Sequence, residues 1–211
     1  NGAYARAQAV PFVSMTPDAI FDWIGSDKHG SVARCVKETR SKTSVEVKKE
    51  GNRTRETLIT PHGSLEIVKQ HDEPSQSWHP VRMPIQKAED IKILREWFED
   101  VSVEFDPVAL AKSEEQRKQI GNTALVTSSI GTTALMDWIE HFAGVENGHY
   151  MLMDNQDEVE ALFAAMHRII RRRAEIFLSH TQADMFYITE NTSTTLISPA
   201  QYRKYCFKHI K

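Results

Sequence analysis

The residues best suited to chemistry lie where a short apolar run ends. Glu190 and Asn191 directly follow the run Met185–Ile188, and five of the next seven residues are Thr or Ser before Pro199. A carboxylate, an amide and several hydroxyls at the carboxyl end of a strand are typical of a ligand site in parallel α/β folds. The same residue types also form ordinary turns and helix caps, so both interpretations stay open.

A second polar stretch follows another apolar run. Residues 127–133 read Thr-Ser-Ser-Ile-Gly-Thr-Thr, and Ser128, Ser129 and Thr132 offer hydroxyls for a polar, anionic ligand. We therefore predict that these three residues bind substrate, with Glu190 and Asn191 in the catalytic positions. The alternative is again a strand end that caps the next helix.

The histidines and cysteines give little sign of a metal site. None of the nine His residues has HxH, HxxxH or HExxH spacing, and the two Cys residues, Cys35 and Cys206, form no CxxC pair. We expect both thiols to be reduced. His149 follows Gly148 in a predicted loop and is a candidate for lining the pocket.

Charge and hydropathy exclude some classes of protein. The 211 residues include 26 basic and 29 acidic side chains, with a formal net charge of -3, which gives no support to nucleic-acid binding. No apolar run approaches the roughly 18–20 residues of a membrane span, so we expect no membrane partner and a cytoplasmic protein. The start at Asn1 and the end inside a helical pattern lead us to expect a piece of a longer chain.

Periodicity predicts an α/β fold. Helical spacing and caps predict helices over residues 16–25, 30–40, 87–100, 106–121, 132–144, 155–181 and 198–210. Alternation predicts a hairpin of two strands over 44–59 with its turn at Gly51-Asn52, and further strands over 63–70, 123–129 and 183–189. Residues 73–84 are predicted to be an irregular loop. Apolar strands that alternate with helices favour parallel pairing.

Three passages resemble the uroporphyrinogen decarboxylase-like superfamily. The stretch "ENTSTTLISPAQYRKYCFKHIK" resembles the family's acidic strand end, polar loop and Ser-Pro-x-x-(Tyr/Phe) helix start, with Glu190 in the acidic position. The stretches "ALVTSSIGTTALMDWIEHFAG" and "ETLITPHGSLEIV … MPIQKAEDIKIL" resemble the preceding strand and helix, and an earlier hairpin and helix. The resemblance covers roughly residues 54–211.

The resemblance implies a partial (β/α)8 TIM barrel with an antiparallel β-hairpin insertion near residues 44–71. Residues 1–211 would form a single domain, an incomplete barrel without its N-terminal and C-terminal portions. Two reactions are implied: methyl transfer between a corrinoid protein and a thiol or folate, often with zinc, or decarboxylation of a tetrapyrrole without a cofactor. We favour corrinoid-linked methyl transfer, with a homodimer compatible with it.

The resemblance also implies roles for single residues. Glu190 would be the acid or base, with Asn191 and the strand-end hydroxyls positioning the donor. Trp138 stands nearest to the family's substrate-side Tyr but lacks its phenol. Zinc ligands of the family's methyltransferases would lie beyond Lys211, so no cofactor is expected from these residues, and zinc and corrinoid only for a full-length protein. A non-catalytic binding module, or an inactive fragment, is the third alternative.

Overall fold

The structure is a computed structural model that describes residues 10–180 and 183–211. The described strands are β1 to β9, in chain order His29–Ser31, Val36–Thr39, Ser44–Glu50, Arg53–Thr60, Gly63–Asp72, Ser77–Arg82, Ser102–Phe105, Leu125–Gly131 and Met185–Ile188. The described α-helices α1 to α7 are, in order, Pro17–Ile24, Ala88–Glu99, Pro107–Ile120, Ala134–Asp137, Val145–Asp154, Gln156–His180 and Pro199–Tyr202. Helix α4 continues as a π-helical turn, Trp138–Phe142, and α7 continues through Arg203–Phe207 and Lys208–Ile210.

The described strands form three separate sheets. Strands β1, β8 and β9 pair in parallel in the order β1-β8-β9, and β2 pairs antiparallel with β7. Strands β3 to β6 form a four-stranded antiparallel meander. Each sheet contacts helices that cover part of its apolar surface.

The prediction of a partial (β/α)8 barrel is wrong. A barrel wall needs successive strands side by side in parallel, but β7 pairs antiparallel with β2, with Val36 opposite Phe105. Only three described strands are parallel, and the strands at 44–71 belong to a sheet of four rather than to an inserted hairpin. The alternation of apolar segments reports which faces are buried, and it does not specify which strands pair.

Most of the predicted helices are confirmed, with their caps. The Thr16 hydroxyl accepts a hydrogen bond from Ala19 N at 3.2 Å, and Asp106 caps α3 through the N–H groups of Val108 and Ala109. Gly121 ends α3, as predicted. Thr181, the last predicted position of the long helix, lies outside the described residues.

Three local predictions are wrong. Residues 30–40 contain the ends of β1 and all of β2 instead of a helix, because Cys35 and Val36 pack beside β7 in the smaller core. The predicted loop 73–84 contains β6, in which Pro80 is tolerated because β6 is an edge strand. The predicted loop around His149 is helix α5.

Two hydrophobic cores hold these elements together. The larger joins α2, α4, α5 and α6 to the β3–β6 sheet, and its fully buried members include Ile91, Leu94, Leu135 and Leu162. The smaller lies between α6 and the β2–β7 pair, around Cys35 and Phe177. Helix α6 contributes to both cores, so it fixes the strand ends of β8 relative to the rest of the chain.

Among the described residues, no helix is both long and apolar enough to cross a membrane.

Candidate active site

The candidate site lies at the carboxyl ends of the parallel strands β8 and β9. Ser129 on β8 pairs with Tyr187 on β9, and the ladder ends at Gly131 and Ile188. Strand β9 ends two residues before Glu190, and β8 ends two residues before Thr133, the N-cap of α4. Parallel pairing therefore brings the two polar strand ends to one edge of the sheet, as the sequence predicts.

Thr133 holds the Glu190 carboxylate. The Thr133 backbone N–H donates to Glu190 Oε1 at 2.7 Å, and the Thr133 hydroxyl donates to Oε2 at 2.8 Å. Both donors belong to the N-cap residue of α4. The side chain of Glu190 is thereby fixed across the gap between the two strand ends.

The protonation state of Glu190 is set by opposing effects. Burial raises its pKa above the ordinary value of 4.5, while the two hydrogen bonds from Thr133 lower it, and burial prevails. The Cys206 sulfur lies 3.3 Å from the Thr133 hydroxyl oxygen. Burial also raises the pKa of Cys206 to about 11, so this thiol stays protonated at neutral pH beside the carboxylate.

Two further carboxylates lie close to Glu190. Burial, opposed by the positive charge of Arg173 and helped by the negative charges of Glu140 and Glu190, raises the pKa of Asp137 to about 7. One oxygen of Glu140, Oε1, is buried and has no hydrogen-bond partner among the described residues. Because like charges in a low-dielectric environment disfavour each other, Asp137 is partly protonated at neutral pH beside Glu190.

Arg173 supplies the positive charge of the site. It reaches from α6 to the end of β8, pairs with Glu38, and would come within 3.3 Å of a side-chain carbon placed at Gly131. The φ angle of Gly131, +140°, is a second reason for glycine at this position. The guanidinium can bind an anionic ligand group or stabilise negative charge on Asp137.

The three residues predicted to bind substrate through their hydroxyls differ in how exposed they are. Ser128 is buried within β8, whereas Ser129 and Thr132 are half-buried near the end of the strand. Asn191, predicted to be catalytic, is exposed beside Glu190. Only Ser129, Thr132 and Asn191 of these four residues are open to a ligand in this structure.

The side chains of Trp138 and His149 make hydrogen bonds within the protein and are not free to contact a ligand. Trp138 is fully buried in the larger core, and its indole N–H donates to Gly148 O at 3.0 Å, so the predicted contact with substrate does not occur here. His149 Nε2 lies 2.7 Å from Leu196 O, and its Nδ1 lies 3.1 Å from the side-chain nitrogen of Gln201. An imidazole that donates from Nε2 and accepts at Nδ1 satisfies both contacts and anchors the loop that follows Glu190.

The loop after Glu190 also lines a small cavity that is open to solvent. The predicted helix start is confirmed: Ser198 Oγ accepts from Gln201 N at 3.2 Å and Gln201 Oε1 accepts from Ser198 N at 3.0 Å. The cavity measures about 240 Å³ and is lined by Thr192, Ser193, Thr194, Ile197, Ser198, Pro199 and Tyr202. The hydroxyl run is thus partly loop structure and partly the wall of a cavity.

The sequence interpretation missed Thr133, Asp137 and Arg173. Thr133 was visible as a helix cap, but its contact with Glu190 depends on a pairing 57 residues apart. Asp137 lies one residue before Trp138 in a pattern that predicts only an amphipathic helix. Arg173 belongs to the run 171–173, which the usual placement of charge on a helix assigns to solvent.

A zinc site in this part of the chain would need several metal-binding side chains directed at one point. Within residues 10–180 and 183–211, no group of three or more His, Cys, Asp and Glu side chains is arranged to hold a metal ion. The described residues therefore do not fit a zinc site.

Comparison with known proteins gives no information on the function of the site. No protein-family model, curated protein or solved structure matches this chain.

Proposed function

We propose that this chain belongs to an enzyme that acts on a tetrapyrrole-type partner, and that its reaction is methyl transfer to or from a corrinoid carried by another protein. The observation that carries the proposal is Glu190, a half-buried carboxyl at a parallel strand end that is fixed by two hydrogen bonds from Thr133. The reaction class comes only from the sequence resemblance at residues 190–211, and the barrel that the same resemblance implies is not found among the described residues. We place the enzyme in the cytoplasm.

Methyl transfer involves a proton when the donor heteroatom is neutral or the acceptor is a protonated thiol. When the methyl group leaves a heteroatom, the heteroatom keeps the bonding electron pair, and a proton delivered to it stabilises the leaving group. In the opposite direction an acceptor thiol gives up its proton. Glu190 can do both, because its raised pKa lies nearer to neutrality than that of an ordinary carboxyl.

The neighbouring groups support this role. Asp137, with a pKa of about 7, is half protonated at neutral pH, and its charge interacts with that of Glu190, so it provides a second proton-carrying group in the site. The Arg173 guanidinium pairs with Glu38 through Nε, and its Nη1 lies near Gly131 at the end of β8. This Nη1 can bind an anionic group of the ligand, such as a carboxylate on a tetrapyrrole side chain. Ser129 and Thr132 offer hydroxyls at the same edge of the sheet.

Decarboxylation of uroporphyrinogen is the second candidate. It is favoured by Asp137, because loss of carbon dioxide from an acetate side chain leaves a carbon that must be protonated, and Asp137 carries a proton near pH 7. Glu190 would then stabilise a cationic pyrrole intermediate through its charge. A binding module without catalysis is the third alternative, and it needs only the polar strand ends.

Two assays separate these functions. The full-length protein is incubated with methylcobalamin and a thiol, and the absorbance of the corrinoid is followed. In the second assay it is incubated with uroporphyrinogen, and carbon dioxide release is followed. Thiol-dependent loss of methylcobalamin that disappears in Glu190→Gln supports methyl transfer. Carbon dioxide release that depends on Glu190 supports decarboxylation in its place, and inactivity in both assays overturns catalysis.

A further inference from the structure

The outer edge of β3 is an open strand edge. In the sheet order β3-β4-β5-β6, β3 pairs only with β4 among the described residues, and all seven of its residues are exposed. Val45 and Val47 are 50% and 56% exposed, although apolar side chains on a strand usually pack against a neighbour. A row of unpaired backbone N–H and C=O groups beside exposed valines is a template for another strand.

The turn after β3 determines which backbone groups face outward. Glu50 pairs with Arg53 across the two-residue loop Gly51-Asn52, and Gly51 has a φ of +62°. In such a hairpin the closing pair exchanges backbone hydrogen bonds, and hydrogen-bonded and non-bonded pairs then alternate along the ladder. Residues 44, 46, 48 and 50 therefore bond inward to β4, and Val45, Val47 and Lys49 direct their N–H and C=O groups to the open edge.

The charges of β3 are complementary to a second copy of itself. In an antiparallel pair centred on Val47, Glu46 of each strand faces Lys48 of the other, and Val45 faces Lys49. Shifting the pair to the neighbouring registers with the same outward groups would place Glu46 opposite Glu46, or Lys48 opposite Lys48. Like charges directly opposite each other are unfavourable, so one register is selected.

We propose that two copies of this chain associate through their β3 strands, antiparallel about a two-fold axis at Val47. The two four-stranded sheets would become one sheet of about eight strands, with hydrogen-bonded pairs at 47·47, 45·49 and 49·45, which is the alternation required by an antiparallel ladder. The contact is isologous, so it closes after two copies and does not extend into a fibre.

The opposite edge of the same sheet is unsuited to this role. Strand β6 contains Pro80, which has no N–H to donate, and the β5–β6 register shifts between Val68 and Lys69. Lysines on an edge strand usually discourage pairing, and β3 contains Lys48 and Lys49. In the proposed register each Lys48 lies opposite Glu46 of the other copy. The lysine charge that repels other strands is therefore neutralised when the partner is a second copy of this chain.

Sedimentation equilibrium and light scattering on the whole chain test the proposal. We expect a concentration-dependent dimer whose dissociation constant rises about tenfold or more in Glu46→Lys, since two opposite-charge pairs become two lysine pairs. The double variant Glu46→Lys/Lys48→Glu exchanges the charges and restores the dimer. Val47→Pro removes an outward N–H and leaves the β4 ladder intact, so it gives a monomer with an unchanged circular dichroism spectrum.

The charge variants keep the test decisive if Val47→Pro does not fold, because they alter only exposed side chains. A chain that is monomeric at every concentration overturns the proposal. So does a dimer whose dissociation constant is the same in Glu46→Lys as in the original chain, because such a dimer uses another surface.

Discussion

Two carboxylates of this chain are held by threonine and backbone donors, but with opposite consequences. Asp100, after α2, accepts five hydrogen bonds of 2.8 to 3.0 Å from Ser41, Lys42 and Thr43. Burial raises its pKa, but these hydrogen bonds outweigh that effect and hold the pKa well below the ordinary 3.8. Glu190 accepts only two from Thr133, and burial among other carboxyls raises its pKa.

The number of hydrogen-bond donors to each carboxylate determines whether it suits a structural or an acid–base role. Five donors stabilise the charge of Asp100 so strongly that it serves as a permanent anchor for the turn before β3. Two donors orient Glu190 and leave its proton affinity above normal, which is what an acid–base group requires. Asp100 also lines a cleft of about 680 Å³ with Arg168, whose guanidinium donates to the carbonyls of Phe98, Glu99 and Val101. Polar groups that already have partners make that larger cleft a poorer site than the strand ends.

The largest expected effect is on turnover. Glu190→Gln keeps the size and polarity of the side chain but removes its acid–base function, so we expect turnover to fall by on the order of 10²-fold or more. Steady-state kinetics in whichever assay shows activity measures this effect. Asp100→Asn is the matched control, and turnover within twofold of the original is expected there. Near-normal turnover of Glu190→Gln would remove Glu190 from the mechanism.

The second effect is on stability and belongs to Asp100. Asp100→Ala leaves the N–H groups of the turn without their acceptor, so the free energy of unfolding falls by about 1–2 kcal/mol, as for the loss of a helix cap. Urea unfolding at pH 7 measures it, with Glu190→Gln as the comparison variant. An unchanged unfolding free energy would show that water replaces the carboxylate without cost.

The third prediction concerns Thr133. Thr133→Val keeps the backbone donor but loses the hydroxyl donor to Glu190, and we expect turnover to fall about tenfold, the effect of one hydrogen bond to a charged group. Because that hydroxyl lowers the pKa of Glu190, its loss also moves the acidic limb of the pH–rate profile to higher pH. Thr133→Ser should restore both. A profile that does not move would place the hydroxyl's role elsewhere.

The last prediction concerns the stability of the chain, which should depend on pH in opposite directions through Asp137 and Asp100. A raised folded pKa means that the native state binds the proton more tightly, so the contribution of Asp137 is present below its ordinary 3.8 and is lost as pH rises toward about 7. A depressed folded pKa gives Asp100 the reverse: its contribution is present above 3.8 and is lost as pH falls below that value. Urea unfolding from pH 3 to 8 should show the upper loss missing in Asp137→Asn and the lower loss missing in Asp100→Asn. Parallel curves for all three proteins would contradict these assignments.

The sequence predicted that the two polar strand ends lie side by side, but it did not predict the fold around them. The position of Glu190 after an apolar strand, and of Thr132-Thr133 after another, follows from local pattern, since carboxyl ends of parallel strands share an edge. The antiparallel pairing of β2 with β7 depends on contacts about 70 residues apart, which period alone does not encode.

Tertiary packing also explains why the positions of Trp138 and His149 were predicted incorrectly. Trp138 is fully buried and Asp137 beside it is partly buried, a difference that follows from how α4 packs on α6. His149 was predicted in a loop because Gly148 reads as a breaker, yet Gly148 is buried in helix α5 against Trp138. In both cases tertiary packing decides what the local signal leaves open.

The most direct measurement is the titration of the two carboxyl groups in the folded chain by carbon-13 NMR. Assignments come from the spectra of Glu190→Gln and Asp100→Asn. We predict that Glu190 titrates above its ordinary 4.5 and Asp100 below its ordinary 3.8. A Glu190 carboxyl that titrates at or below 4.5 would contradict its assignment as the acid–base group of the strand-end site.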